Sequence, residues 1–161
     1  AYKSAYLVRL MKKEGLEVKV VMTPSAKEFI GAITLSTLSG NPVVSEIQMN
    51  GEWNDHVQLG LWADLMVVAP ATANTIAKMA KGICDNMLQA VYLSSRCPVI
   101  VAPAMDLDMY AHPSTKRNLE TLETDGVKFI GPEDGELASG LVGKGRMSEP
   151  EDILKLILSY D

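Results

Sequence analysis

The stretch Leu65-Met66-Val67-Val68-Ala69-Pro70-Ala71-Thr72-Ala73-Asn74-Thr75 decides the fold, because it passes from an apolar run through a proline turn into a helical pattern. Leu65–Ala69 is apolar on both alternating faces, the pattern of a strand covered on both sides in a parallel sheet. Pro70 fixes the turn, and Thr72 stands where a helix N-cap is expected. Runs of similar length, rich in valine or isoleucine, recur at Val18–Met22, Val99–Ala102 and Val127–Ile130. Helical spacing fills the intervals: Tyr2–Lys13, Ser25–Leu38, Asn54–Trp62, Thr72–Ser94 with an interruption at Gly82, Ser114–Thr124 and Glu151–Leu158. Parallel neighbours need crossover connections, so this alternation predicts an α/β fold with a three-layer, doubly wound parallel sheet.

The bulk properties agree with one compact domain. The 161 residues are 47% hydrophobic and 22% charged, enough to bury a core. The net charge of −5, with basic residues scattered among acidic ones, argues against a nucleic-acid partner. No run approaches the roughly 20 apolar residues of a membrane helix, and the start lacks signal-peptide order, so a cytoplasmic protein with no membrane partner is expected. Cys84 and Cys97 lack metal-ligand spacing and are expected to be ordinary buried thiols, with no metal site. The run Ala1-Tyr2-Lys3-Ser4-Ala5 reads as helix where such a fold opens with a strand and a glycine-rich turn, so the first strand is expected to be missing from the sequence.

Ligands of doubly wound sheets sit at the carboxyl ends of strands, which directs attention to Thr23-Pro24-Ser25, Pro70–Thr75 and Pro103–Tyr110. In the second segment Ala71 and Ala73 let a flat ring approach the backbone, while Thr72, Asn74 and Thr75 offer polar groups beside a helix N-terminus. A plain N-cap explains the same residues. His56 near a helix start reads either as structural or as a proton acceptor. His112, before Pro113, reads as structural. Residues 135–147 turn to glycine and small residues without periodicity, which suggests a mobile flap.

Pro70-Ala71-Thr72-Ala73-Asn74-Thr75, followed by Ala77-Lys78 and Gly82-Ile83-Cys84-Asp85-Asn86, closely resembles the homo-oligomeric flavin-containing cysteine decarboxylases, and within them the phosphopantothenoylcysteine decarboxylases. The likeness spans the whole chain. Ala1-Tyr2-Lys3-Ser4 looks like the end of that family's first FMN turn, and the likeness also takes in Thr23-Pro24-Ser25-Ala26 and the helix containing Phe29. The resemblance implies a Rossmann-like flavoprotein fold, with FMN held by Thr23, Ser25, Phe29, Pro70, Ala71, Thr72, Ala73, Asn74, Thr75 and Met105. It also implies that His56, in Trp53-Asn54-Asp55-His56, is the active-site histidine.

Pro103-Ala104-Met105-Asp106-Leu107-Asp108-Met109-Tyr110 resembles the family's substrate motif, with Asp106 in place of asparagine and Tyr110 in place of tryptophan. The resemblance assigns Asp106, Met109 and Tyr110 to the substrate. An ionised aspartate would repel a substrate carboxylate. Three accounts follow: a protonated Asp106 in the closed site, a cation beside it, or a chain that does not decarboxylate. The flap resembles the family's substrate cover, with Ser139 where a cysteine linked to the final reduction is usual. Ser139 therefore joins His56 and Asp106 as a candidate catalytic group. Lys144 and Arg146 read as phosphate ligands or as merely solvated cations.

The implied reaction is oxidative decarboxylation of 4'-phosphopantothenoylcysteine to 4'-phosphopantetheine in coenzyme A biosynthesis. Direct loss of carbon dioxide from an N-acyl cysteine would leave a carbanion with nothing to delocalise it, so a redox cofactor is needed. His56 would take the thiol proton, a task an imidazole suits near neutral pH. A peptidyl-cysteine decarboxylase that stops at the enethiol is the nearest rival, and a non-catalytic flavin-binding regulatory subunit is another. The resemblance further implies a homo-trimer or dodecamer, a single FMN-binding decarboxylase domain over residues 1–161, and a fused ligase domain after the helix that ends near Asp161.

Overall fold

The structure, a computed structural model, describes residues 1–49, 52, 53 and 55–160. Asn54, expected at the head of a helix, lies outside the described residues, as does Asp161. The first half of the chain forms α1 (Tyr2–Lys13), a 3-10 helix (Pro24–Glu28), α2 (Ala32–Ser39), the paired β1 (Gln48–Met49) and β2 (Glu52–Trp53), α3 (His56–Trp62), β3 (Met66–Ala71) and α4 (Ala73–Lys81). The second half forms α5 (Met87–Ser94), β4 (Val99–Pro103), α6 (Leu107–Ala111), α7 (Pro113–Thr124), β5 (Lys128–Phe129), the paired β6 (Glu133–Glu136) and β7 (Val142–Arg146), and α8 (Pro150–Leu158). These elements make two compact units, one of Ala1–Ala63, Cys84–Arg96 and Pro150–Asp161, the other of Asp64–Ile83 and Cys97–Glu149.

The second unit holds a parallel sheet in the order β3-β4-β5. All five residues of central β4 are buried, as two-sided coverage demands. Met66, Val67 and Val68 pair with Val99, Ile100 and Val101, and the ladder then skips to Ala71 opposite Pro103. Pro70 has no N–H to give a ladder, and its peptide bond with Ala69 is cis. Helices α4 and α7 pack together, burying Ile76, Met79, Leu119 and Leu122. Helix α4 ends at Gly82, whose φ of +66° favours glycine, and this accounts for the interruption read in the sequence.

In the first unit Val8, Val18, Met22 and Leu35 form a buried cluster covered by Met11, Leu16, Val20 and Val43 among others. Helix α3 packs on α5, and α1 packs on both α2 and α8.

The α/β class and the parallel sheet match the sequence, while several local readings need correction. Val18–Met22 was expected to be a strand, yet it makes only an isolated parallel bridge, Val21 with Val44. The neighbouring segment explains this. The next bond of a parallel ladder would come from the N–H of residue 42, which is a proline; instead the Asn41 side-chain amide donates to the Val18 carbonyl at 2.8 Å. The helix expected over Ser25–Leu38 is broken into the 3-10 helix and α2, which restarts with Gly31 as an extended N-cap. Residues 135–147, expected to lack regular structure, take part in a hairpin, with Gly135 opposite Gly143 and Glu136 opposite Val142. Backbone pairing carries it, so no side-chain periodicity announces it. Cys84 is exposed and Cys97 half-buried, contrary to the expectation of buried thiols.

Candidate functional site

The sheet-bearing unit gathers three of the segments picked out in the sequence. Thr72 caps α4 through its hydroxyl, which accepts from the Thr75 N–H at 3.2 Å. Ala71 is fully buried, and its carbonyl accepts from the Ala104 N–H at 2.9 Å, tying the end of β3 to the loop after β4. The next residue, Met105, donates its N–H to the Gly145 carbonyl at 3.0 Å, tying that loop to the hairpin. A side chain at Gly145 would meet the Met105 carbonyl oxygen, and Leu137 at 3.1 Å, so only glycine allows β7 to come this close.

Asp106 caps α6, its carboxylate accepting from the Asp108 N–H at 3.4 Å. The other carboxylate oxygen accepts a 2.5 Å hydrogen bond from the Ser139 hydroxyl, which in turn accepts from the Leu141 N–H at 3.4 Å. The two positions that depart from the family pattern therefore touch each other. One helical turn beyond Asp106, Tyr110 lies under two ammonium groups, Lys116 at 4.3 Å and Lys144 at 5.8 Å from its ring centre. Met109 is half-exposed beside it. Arg146 instead pairs with Glu149 at 3.3 Å.

Around residues 70–75, Pro70, Thr72 and Asn74 are exposed, and the first turn of α4 carries no acidic side chain. Small side chains beside a helix N-terminus suit a flat, electronegative ligand edge.

The other unit holds the remaining candidates. The Thr23 hydroxyl accepts from the Ala26 N–H at 3.2 Å, so it caps the 3-10 helix, while Ser25 is exposed and Phe29 is 78% exposed. A cleft of about 390 Å³ opens beside this turn, lined by Pro24, Ser45, Glu46, Gln48, Asp85 and Asn86 among others. Lys27 bonds Glu46 at 2.7 Å and holds its carboxyl below the usual range. His56 is the first residue of α3, whose N-cap is the Asp55 carboxylate accepting from the Gln58 N–H at 2.8 Å. Its Nδ1 is buried with no hydrogen-bond partner among the described residues. His112 caps α7, accepting from the Ser114 N–H at 3.1 Å, which agrees with a structural role.

Three positions escaped the sequence reading. Lys116 reaches Tyr110 only because the chain turns between α6 and α7. Gly145 needed the hairpin pairing to be known. Gly60 could have been found, since a glycine inside a helix signals close packing. A side chain there would lie 2.6 Å from the Ser94 carbonyl oxygen, so the α3–α5 crossing that carries His56 depends on it.

Comparisons with known proteins converge on one family. The chain is 57% identical over 133 residues to a cysteine/cysteine sulfinic acid decarboxylase from an unknown prokaryotic organism, covering 81% of the chain and 37% of that protein. It is 46% identical over 157 residues to the coenzyme A biosynthesis bifunctional protein CoaBC of Bacillus subtilis (strain 168), covering 96% of the chain and 39% of that protein. The chain thus spans about two fifths of the length of these curated relatives. Among solved structures, a mutant PPC decarboxylase complexed with pantothenoylaminoethenethiol superposes with a TM-score of 0.88 at 32% identity, covering 98% of the chain and 90% of its own. The flavoprotein family model matches residues 1–160, and with these likenesses behind it the chain belongs to the flavoprotein family.

Proposed function

We propose that this chain is a single FMN-binding decarboxylase domain that converts 4'-phosphopantothenoylcysteine to 4'-phosphopantetheine in coenzyme A biosynthesis. The observation that carries the reading is the pair of backbone bonds, Ala104 to Ala71 and Met105 to Gly145, which draw residues 70–75, the Met105-Asp106 turn and the hairpin into one unit. The likeness to CoaBC and to PPC decarboxylase supports the substrate. The residues present fit FMN: Pro70, Ala71, Thr72, Ala73, Asn74 and Thr75 combine small side chains, exposed hydroxyl and amide groups and an acid-free helix start. Met105 adds a polarizable neighbour, and the resemblance of their segment makes Thr23, Ser25 and Phe29 further candidates for FMN.

When bound, FMN supplies a two-electron acceptor that no side chain offers. The chain supplies the rest. His56, whose buried Nδ1 has no partner among the described residues, takes the thiol proton. Asp106, held by Ser139, faces the carboxylate end of the substrate, Met109 and Tyr110 cover its arm, and Lys144 with Arg146 are candidates for its phosphate. The same reading carries a cytoplasmic homo-trimer or dodecamer and a fused ligase domain, the last supported by the share of CoaBC that the chain spans.

A second reading rests on Asp106. A carboxylate there suits an α-ammonium group better than a second carboxylate, and the relative named for cysteine and cysteine sulfinic acid fits a free amino acid substrate. The test is turnover of synthetic 4'-phosphopantothenoylcysteine and of free cysteine by the FMN-loaded protein, with product masses. The mass of 4'-phosphopantetheine supports the first reading. A product two hydrogens lighter marks the enethiol-forming rival, turnover of cysteine alone selects the second reading, and no carbon dioxide from either substrate overturns both.

A further inference from the structure

Two lysines from different elements meet the Tyr110 ring. Among the described residues neither Lys116 nor Lys144 makes an ion pair, although the chain carries 20 acidic residues against 15 basic ones. Both are exposed, and both direct their ammonium groups at one half-buried ring. Two ammonium groups at one ring make a local excess of positive charge that suits an anion. Arg146, the other basic residue at the end of the hairpin, is already engaged by Glu149.

The ring is placed for a ligand. The Tyr110 N–H bonds to the Asp106 carbonyl at 2.9 Å, so Tyr110 stands one helical turn from Asp106 on the same face of α6. Lys144 comes from the hairpin and Lys116 from α7, so the cations converge from two separate elements. We infer that Lys116 and Lys144, drawn together over Tyr110, bind the phosphate end of the substrate, with Lys116 serving in place of Arg146 as the second cation. This rests on the proposed function, because it takes a phosphate-bearing substrate as given.

The experiment compares kcat/KM for 4'-phosphopantothenoylcysteine and for its dephosphorylated form in the wild type, Lys116→Gln, Arg146→Gln and the Lys116→Gln/Lys144→Gln double variant. The wild type is expected to prefer the phosphorylated substrate, and each lost lysine to lower that preference by about tenfold, as loss of a charge-assisted contact does. Arg146→Gln is expected to lower the preference less than Lys116→Gln does, because the guanidinium also pairs with Glu149 and the cations on the Tyr110 ring are the two lysines. Calorimetric binding of 4'-phosphopantetheine against pantetheine gives the same comparison without turnover. A preference that survives the double variant, or that is lost in Arg146→Gln alone, overturns the assignment while leaving the decarboxylase reading intact. Turnover of neither substrate, with equal binding of both pantetheines, overturns both.

Discussion

The Ser139 hydroxyl donates a 2.5 Å hydrogen bond to the Asp106 carboxylate, joining the hairpin turn to the N-cap of α6 across 33 residues of sequence. In the decarboxylase motifs that these segments resemble, a thiol and an amide stand at the two positions. A hydroxyl and a carboxylate make a stronger donor and acceptor pair, so the two departures are chemically matched. Their coupling is measurable. In a double-mutant cycle of Ser139→Ala and Asp106→Asn, the interaction energy in urea denaturation is expected to be about 1 kcal/mol, and additive effects would refute the match.

Gly60→Ala tests the α3–α5 crossing. The added carbon would lie 2.6 Å from the Ser94 carbonyl oxygen, so the helices must separate. A loss of about 1–3 kcal/mol in stability is expected, together with a lower kcat, because His56 lies one turn before Gly60 on α3. A variant as stable and active as the wild type would show that the crossing tolerates the carbon.

Asn41→Ala tests the substitute for a sheet bond. The Asn41 amide donates to the Val18 carbonyl at 2.8 Å and to the Glu17 carboxylate at 2.7 Å. That second bond, followed by the Lys12 ammonium, holds the Glu17 carboxyl below its usual value of 4.5. A depressed folded-state value means that Glu17 contributes stability above about pH 4.5 and loses it as the pH falls through the lower value. The destabilisation caused by Asn41→Ala is therefore expected to be larger at pH 7 than near about pH 3, as read by urea denaturation at each pH. An equal loss at both would leave only the Val18 bond at work.

The Asp106–Ser139 contact also marks the limit of what the sequence disclosed. The α/β class, helix α1 and the central strand β4 were legible because apolar periodicity and buried valines speak directly of packing. The start of α4 was legible from its N-capping threonine, whereas Pro70, expected to fix a turn, lies inside β3, which runs on to Ala71. The hairpin at 133–146 was not, since its glycines pair through the backbone and leave no alternating pattern. Lys116 stayed hidden for a different reason: its partner lies across a helix corner, and a lone lysine on an exposed helix face looks like any other.

His56→Asn tests the proton acceptor. The imidazole Nδ1 is buried without a partner among the described residues, and an amide cannot take a proton near neutral pH. The variant is expected to retain bound flavin by absorbance and to lose turnover by about a hundredfold or more. Full turnover with flavin retained would remove His56 from the chemistry.

The most direct test of the central claim counts carbon dioxide released from 4'-phosphopantothenoylcysteine by the FMN-loaded protein in the absence of oxygen. If electrons borrowed from the substrate are returned to it, many equivalents are released per bound flavin and the product is 4'-phosphopantetheine. Release that halts at a single equivalent per flavin, or no release at all, would contradict the account.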